Sequence, residues 1–426
     1  MSPLRRARQT AAHIWPLAAG GRPDPAAPGD ALQGAGGAVV TLDSLREIDL
    51  YAFQGLLKAE GEERYGTQYS KWKKEAEKFE IDGHFPVREL WARAAAAWDE
   101  ILADARGRGA RSVLVVAHNA VIQALVADAL KLDECYFRRL LQSNCGVTVV
   151  DFVGGSSGGV RVDRLNQTPA PPIARVASGA GRKALGRVVL CQHAATTLSQ
   201  CGRGDAGGVL LGALDARLSE AGRAQAQALG AALADVGVAK VLMSPRMAAR
   251  ETAAAIAVEA VQGGKVELAE APSLFFDMAH AGNGDVVGGA HGPANPVDFA
   301  LASLGSIDKP AQLSAPASPQ LWEAAGEAYH ELRAAAAAAG ESVVVAVTHP
   351  ALTVALTCRA LGLPPAAATA MRVDAGSMTV LDFPDGVEGT PVLRAHNYTA
   401  HLGSWAVPVT RVEEVADAAS ELENAY

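Results

Sequence analysis

No two cysteines in this sequence have the CxxC spacing, and the five present (Cys135, Cys145, Cys191, Cys201 and Cys358) are an odd number. Neither a zinc site nor a disulfide framework is therefore indicated, which suits a reducing compartment. No apolar run approaches the ~18 residues of a membrane span. Positive charge is in short supply: 38 Lys and Arg face 46 Asp and Glu, a net charge of −8 that argues against a nucleic-acid surface. What is present is 49% hydrophobic and 20% charged over 426 residues, an ordinary globular composition with ample material for a core. The length alone suggests two or three domains.

A repeat selects two. His118 follows the apolar run VLVVA and His349 follows VVAVT, an offset of 231 (349 minus 118). The same offset pairs Leu90-Trp91 with Leu321-Trp322, Glu100 with Glu331, Ala124-Leu125 with Ala355-Leu356, and Leu132 with Leu363. Further on it pairs Thr148 with Thr379, Asp151-Phe152 with Asp382-Phe383, Asn166 with Asn397, and Thr168 with Thr399. One undrifted offset over that span means two copies of a whole domain, far longer than the repeat unit of a solenoid. Upstream, Met1-Ser2-Pro3 and Thr10-Ala11 match Met243-Ser244-Pro245 and Thr252-Ala253 at an offset of 242. The Arg-rich, acid-free start has the composition of a transit peptide, but this internal match marks it as a helix of the fold. Residues 188–242 have no counterpart ahead of Met1.

Within each copy the patterning alternates strand and helix. Residues 113–117 and 343–348 are short β-branched runs leading into helix-forming sequence, the signature of a buried parallel strand feeding a helix. Amphipathic helices are expected before them, over 87–105 (Trp91, Ala94, Trp98 and Ile101 on one side) and 319–339. Alternating strands are expected over 147–152, 160–165, 378–383 and 392–396. In the second copy, strands are expected over 188–191 and 238–243, with Ser219 as the N-cap of the helix between them. The order implies an α/β fold with mostly parallel sheets. Residues 1–168 form the first domain, 169–187 a linker, 188–411 the second domain, and 412–426 an acidic tail. Gly-rich and Pro-rich loops are expected over 20–37 and 282–296.

The second copy carries a strand ending at Gln192-His193-Ala194, then Asp215, Leu218-Ser219, Gly222 and Gln225-Ala226, then Ser244 opening the next helix. This order resembles the histidine phosphatase superfamily, with its phosphoglycerate-mutase-like fold. There a strand ends in Arg-His-Gly, followed by D-x-x-L-S/T-x-x-G-x-x-Q-A and S-x-L-x-R-A, with a later acidic residue and a second histidine after a buried strand. The resemblance implies two tandem three-layer α/β/α domains, the first missing its N-terminal strand, and a metal-independent enzyme with no cofactor. A phosphoryl group carries about two negative charges, so arginines and imidazoles must converge on it. One histidine attacks phosphorus, the second stabilises the charged oxygens, and a carboxylic acid protonates the leaving alkoxide.

Carried over residue by residue, Arg6 in SPLRRA is the phosphate arginine, Glu47 the acid/base and His118 the second histidine, with Asn119 beside it on phosphate. The first copy's nucleophile is expected to be absent, since its Arg-His-Gly strand would precede Met1. A start assigned downstream of the true one accounts for this and for the missing transit peptide. In the second copy His193 and His349 keep their places, but Gln192 and Ala194 replace Arg and Gly, Ala248 stands at the Arg6 position, and Phe276 at the Glu47 position. That site is expected to be degenerate.

The strings REIDLYAFQGLLK, DGHFPVRELWAR, LVVAHNAVIQAL, RLNQTP and NYTAHLGSW resemble the plant tandem proteins described as 2-carboxy-D-arabinitol-1-phosphate phosphatases. That resemblance implies a chloroplast stromal enzyme that dephosphorylates sugar-phosphate inhibitors of Rubisco, acting on a small molecule, with neither nucleic acid nor membrane as partner. Little turnover is expected of the 426-residue chain. A non-catalytic sugar-phosphate-binding scaffold and a phosphoglycerate mutase are the alternatives.

Overall fold

The computed structural model describes residues 1–18, 39–153, 159–169, 173, 184–197, 215–260, 266–276, 311–312 and 316–403. The loops expected over 20–37 and 282–296, most of the linker, and the acidic tail lie outside these residues. The chain divides into two compact units, the first ending at Gln142 and the second running from Ser143 to Thr410.

Among its described residues the first unit is helical. It contains α1 (Arg5–Ala18), α2 (Lys58–Lys74), α3 (Pro86–Arg108) and α4 (Asn119–Ala129) with short 3-10 turns. α3 matches the expected amphipathic helix, burying Leu90, Trp91, Ala94, Ala97 and Ile101, and it stops where Gly109 takes a left-handed φ of 63°. Residues 113–117 depart from expectation. They belong to no strand, and Val113 and Leu114 are 48% and 60% exposed. The equivalent run in the second copy is fully buried. A β-branched run becomes a buried strand only between hydrogen-bonding neighbours, and the first unit has no strand beside it among the described residues. The run is held through Val116, whose carbonyl accepts from the Ser2 N–H at 2.9 Å.

The second unit carries the strands β1 (Val147–Val153), β2 (Gly159–Gln167), β3 (Arg187–Gln192), β4 (Val238–Met243), β5 (Glu267–Glu270), β6 (Ala311–Gln312), β7 (Val343–Thr348), β8 (Arg372–Val373), β9 (Met378–Asp382) and β10 (Val392–Tyr398). Eight of them form one sheet in the order β1-β2-β10-β9-β3-β7-β4-β5, while β6 and β8 make a small separate pair. β3, β7, β4 and β5 run parallel, while β9, β10, β2 and β1 are joined antiparallel. Among the described residues four helices cover this sheet: α5 (Glu220–Leu233), α6 (Met247–Ala260), α7 (Pro319–Ala339) and α8 (Pro350–Leu361). Strand alternation sorts the layers. Val189, Cys191, Val343, Val345 and Val347 share one core with Leu229 and Leu233 of α5 and Ile256 of α6, and no residue of α7 or α8 joins it. The intervening residues Val188, Leu190, Val344 and Ala346 are equally buried, on the face that packs against α7 and α8.

β1 and β2 belong by sequence to the first copy, yet they extend this sheet. Leu165 of β2 pairs with His396 of β10, and these two residues are repeat equivalents. A residue paired antiparallel with its own equivalent defines a local two-fold, and the side chains beside it obey that symmetry. Asn166 donates to the Arg394 carbonyl at 2.7 Å, and Asn397 donates to the Asp163 carbonyl at 2.9 Å. Asn166 Oδ1 accepts from Ser143 N, and Asn397 Oδ1 from Asp374 N, each at 2.7 Å. Both asparagines are buried in the left-handed region, with φ of 56° and 50°. Asn tolerates that region better than any β-branched or bulky residue.

Three histidines in this unit, His396 buried and His349 and His401 half-buried, are held far below the ordinary imidazole value. His349 lies near 3, through burial and the neighbouring His193 and Arg246, while burial holds His396 and His401 each near 4. All three stay neutral in the folded state, whereas the unfolded chain takes up their protons below about 6.5. Stability from this source is therefore intact above pH 6.5 and falls as pH drops toward 4. Urea unfolding at pH 5 should show a clearly lower midpoint than at pH 7; coincident midpoints would contradict the assignment of neutral imidazoles.

Candidate active site

In the first unit the expected residues converge from distant parts of the chain. His118 is the N-cap residue of α4 and is buried. The Arg6 guanidinium, one residue into α1, donates through Nε to His118 Nδ1 at 2.9 Å. A guanidinium can only donate, so Nδ1 is the acceptor and Nε2 carries the proton, which it gives to Ser2 Oγ at 2.8 Å. Burial and the Arg6 charge push His118 below its ordinary value, and the Glu47 carboxylate opposes them.

Glu47 sits at the start of α4. Its carboxylate accepts from Val121 N at 3.3 Å and Ala120 N at 3.4 Å, and from Ile48 N at 3.0 Å. An anion at a helix N-terminus is stabilised by the unsatisfied N–H groups there. The turn that carries it is tied down by Arg93, whose guanidinium donates to the carbonyls of Arg46 and Glu47, both at 2.9 Å. Sequence reasoning missed Arg93, because nothing in RELWAR distinguishes it from a solvated helix residue. Asn119 lies next to His118, but its side chain is committed to the fold at both ends: Nδ2 donates to the Gln142 carbonyl and Oδ1 accepts from Gln123. No second imidazole joins this cluster among the described residues.

In the second unit the motif residues grip the loop that bears His193. Ser219 caps α5, accepting from Gly222 N at 3.0 Å, and both its own N–H and hydroxyl donate to the Ala195 carbonyl. Gln225 Oε1 accepts from Ala195 N at 2.9 Å, and Thr252 Oγ1 from Ala194 N at 3.1 Å. Gly222 is there because a Cβ would lie 1.8 Å from the Ala195 oxygen. So L-S-x-x-G-x-x-Q is a clamp on the histidine loop. Within that loop His193 Nδ1 is 3.0 Å from the Ala194 carbonyl. A carbonyl only accepts, so Nδ1 is protonated and Nε2 keeps its lone pair.

His349 follows β7 and is the N-cap residue of α8. Ala248, at the position of Arg6, is buried against Ala194, Leu218 and Ala226. Among the described residues the cation of this cluster is Arg246, two residues earlier, stacked over Phe275 with 5.0 Å to the ring centre. Its charge lowers the pKa of both His193 and His349. It too escapes a reading of the sequence, since it occupies the motif's Leu position.

Among the described residues no group of three or more His, Cys, Asp or Glu could hold a metal ion, and no helix is long and apolar enough to cross a membrane.

The family model for the histidine phosphatase superfamily (branch 1) matches residues 29–168, 188–271 and 310–398. The chain belongs to the histidine phosphatase superfamily. It is an enzyme of the phosphoric monoester hydrolase class. It is 39% identical over 430 residues to a 2-carboxy-D-arabinitol-1-phosphatase of Triticum aestivum, covering 98% of this chain and 79% of that one. A probable 2-carboxy-D-arabinitol-1-phosphatase of Arabidopsis thaliana is 37% identical over 425 residues, covering 96% and 79%. A solved mycobacterial glucosyl-3-phosphoglycerate phosphatase is 22% identical, covering 50% of this chain and 100% of its own, with a TM-score of 0.36.

Proposed function

We propose that the chain releases inorganic phosphate from a phosphorylated sugar acid, 2-carboxy-D-arabinitol 1-phosphate or a related inhibitor of Rubisco, at the cluster of Arg6, Glu47 and His118. The observation that carries this is the 2.9 Å bond from Arg6 to His118, with Glu47 at the start of the same helix that His118 caps. The remaining N–H groups of the Arg6 guanidinium are donors for the equatorial oxygens that gain charge during transfer, and the Nε2–H of His118 joins them by exchanging Ser2 for a phosphate oxygen. Glu47 is the acid that hands a proton to the departing sugar oxygen. The substrate comes from the names of the wheat and Arabidopsis relatives. Their plant origin supports a chloroplast stromal setting, which organelle fractionation would test.

The step that these residues leave unsupplied is nucleophilic attack. In a phosphohistidine mechanism an imidazole nitrogen bonds to phosphorus as the P–O bond to the sugar breaks. Both nitrogens of His118 are engaged, by Arg6 and Ser2. Phosphate release by the 426-residue chain should therefore be slow, and free imidazole in the assay should accelerate it in proportion to its concentration. The imidazole takes the phosphoryl group, Glu47 protonates the sugar oxygen, and water then hydrolyses the phosphoimidazole. Glu47→Gln should reduce the imidazole-dependent rate by roughly 100-fold, the usual scale for general acid catalysis. If imidazole changes nothing while sugar phosphate still binds, the lack of a second imidazole at the cluster among the described residues favours the non-catalytic binding scaffold.

A further inference from the structure

The two copies treat an equivalent Ser–His pair in opposite ways. In the first unit Ser2 Oγ and His118 Nε2 are bonded to each other at 2.8 Å. Their counterparts in the second unit, Ser244 Oγ and His349 Nε2, are buried and meet no hydrogen-bond partner. Gln192 adds two more such atoms: its Nε2 and Oε1 are both buried and both unpartnered, in a residue only 1% exposed. Each buried polar atom left unpaired costs about 1–3 kcal/mol.

These atoms share one place in the fold. Gln192 ends β3, His349 follows β7, and Ser244 follows β4, and β7 lies between the other two strands. Backbone bonds hold the three strand ends in register: His193 N donates to Thr348 O at 3.0 Å, and Ser244 N to Val347 O at 2.9 Å. Outside the carboxyl ends of adjacent parallel strands is where α/β sheets bind small molecules.

The donor and acceptor balance says what kind. We infer that Gln192, His193, Ser244, Arg246 and His349 form a non-catalytic binding site for a small polyhydroxylated monoanion, such as a sugar acid carrying one carboxylate. Among the described residues Arg246 is the guanidinium placed at the cluster, because Gln192 holds the first arginine position and Ala248 faces apolar packing. The imidazoles are neutral near pH 7, held low chiefly by burial. A phosphate dianion would be left under-neutralised. Gln192 Oε1 and the lone pair on His193 Nε2 are acceptors, and they require hydrogens from the ligand. Hydroxyl groups supply those, and a phosphate dianion does not. Phe276 at the acid position provides no proton for a leaving group, so binding without turnover follows.

Titration calorimetry of the full chain carrying Arg6→Met and His118→Asn, which removes the phosphate donors of the first cluster, with D-gluconate, D-glucitol and inorganic phosphate tests this. Gluconate should bind at least 10-fold tighter than either other compound. Arg246→Met should erase the preference for gluconate over glucitol. Gln192→Met and Ser244→Ala should each lower gluconate affinity at least 10-fold while raising the melting temperature of the unliganded protein, because each removes an unpaired buried group. A lowered melting temperature in both variants would assign these side chains to the fold and overturn the site. So would phosphate binding as tight as gluconate, or no response to gluconate.

Discussion

Gly222→Ala is expected to destabilise the second unit by about 4 kcal/mol and to lower its melting temperature by roughly 10 °C. A methyl group at this position would lie 1.8 Å from the Ala195 oxygen and 2.8 Å from its carbonyl carbon. Both are backbone atoms, so no side-chain rotation relieves the clash and the histidine loop must move. Movement there breaks the bonds from Ser219 to the Ala195 carbonyl, and those from the amides of Ala194 and Ala195 to Thr252 and Gln225. Gly237→Ala is the control. Gly237 has a left-handed φ of 76°, but a methyl group there would meet nothing within 4 Å, so only backbone strain of about 1 kcal/mol applies. Equal losses in the two variants, read by thermal unfolding, would show that close approach to the loop is not why Gly222 is a glycine.

Asn397→Ala should be comparably damaging, at about 4 kcal/mol. The substitution leaves the Asp374 N–H and the Asp163 carbonyl without partners in a buried seam, each costing about 1–3 kcal/mol. It also puts alanine at a φ of 50°, adding about 1 kcal/mol. Because the seam is two-fold symmetric, Asn166→Ala should cost nearly the same, through Ser143 N and the Arg394 carbonyl. Asn397→Gly relieves the backbone and not the hydrogen bonds, so it should recover only the smaller part. Denaturant unfolding that found one asparagine indispensable and the other neutral would contradict the symmetric seam.

Much of the second unit is legible in the chain. The runs at 238–243 and 343–348 are strands with the expected bounds, and 319–339 is the expected helix. In each case the pattern and its flanking signals suffice. Residues 113–117 carry the same kind of pattern as 343–347 and form no strand, because a strand's existence depends on neighbours remote in sequence. The hairpin of β1 and β2 is the converse. Its strands are legible, but a repeat offers two equivalent partners, and nothing local says that Leu165 pairs with its own counterpart His396.

The candidate sites divide in the same way. Arg6, Glu47 and His118 are legible because family motifs fix the order of residue types along the chain, and the structure brings them together. Arg93 and Arg246 are not, since the motifs leave the first position blank and assign the second to leucine. In the sequence Gln192 reads only as a lost arginine. Its unpaired donor and acceptor emerge once the packing around β3 is known.

The most direct measurement is imidazole-dependent phosphate release from 2-carboxy-D-arabinitol 1-phosphate by the full chain, compared with the triple variant Arg6→Met, Glu47→Gln, His118→Asn and with His193→Asn alone. Phosphate chemistry at the first cluster predicts loss of release in the triple variant and an unchanged rate in His193→Asn. Undiminished release by the triple variant, with loss in His193→Asn, would place the chemistry in the second unit and contradict the account.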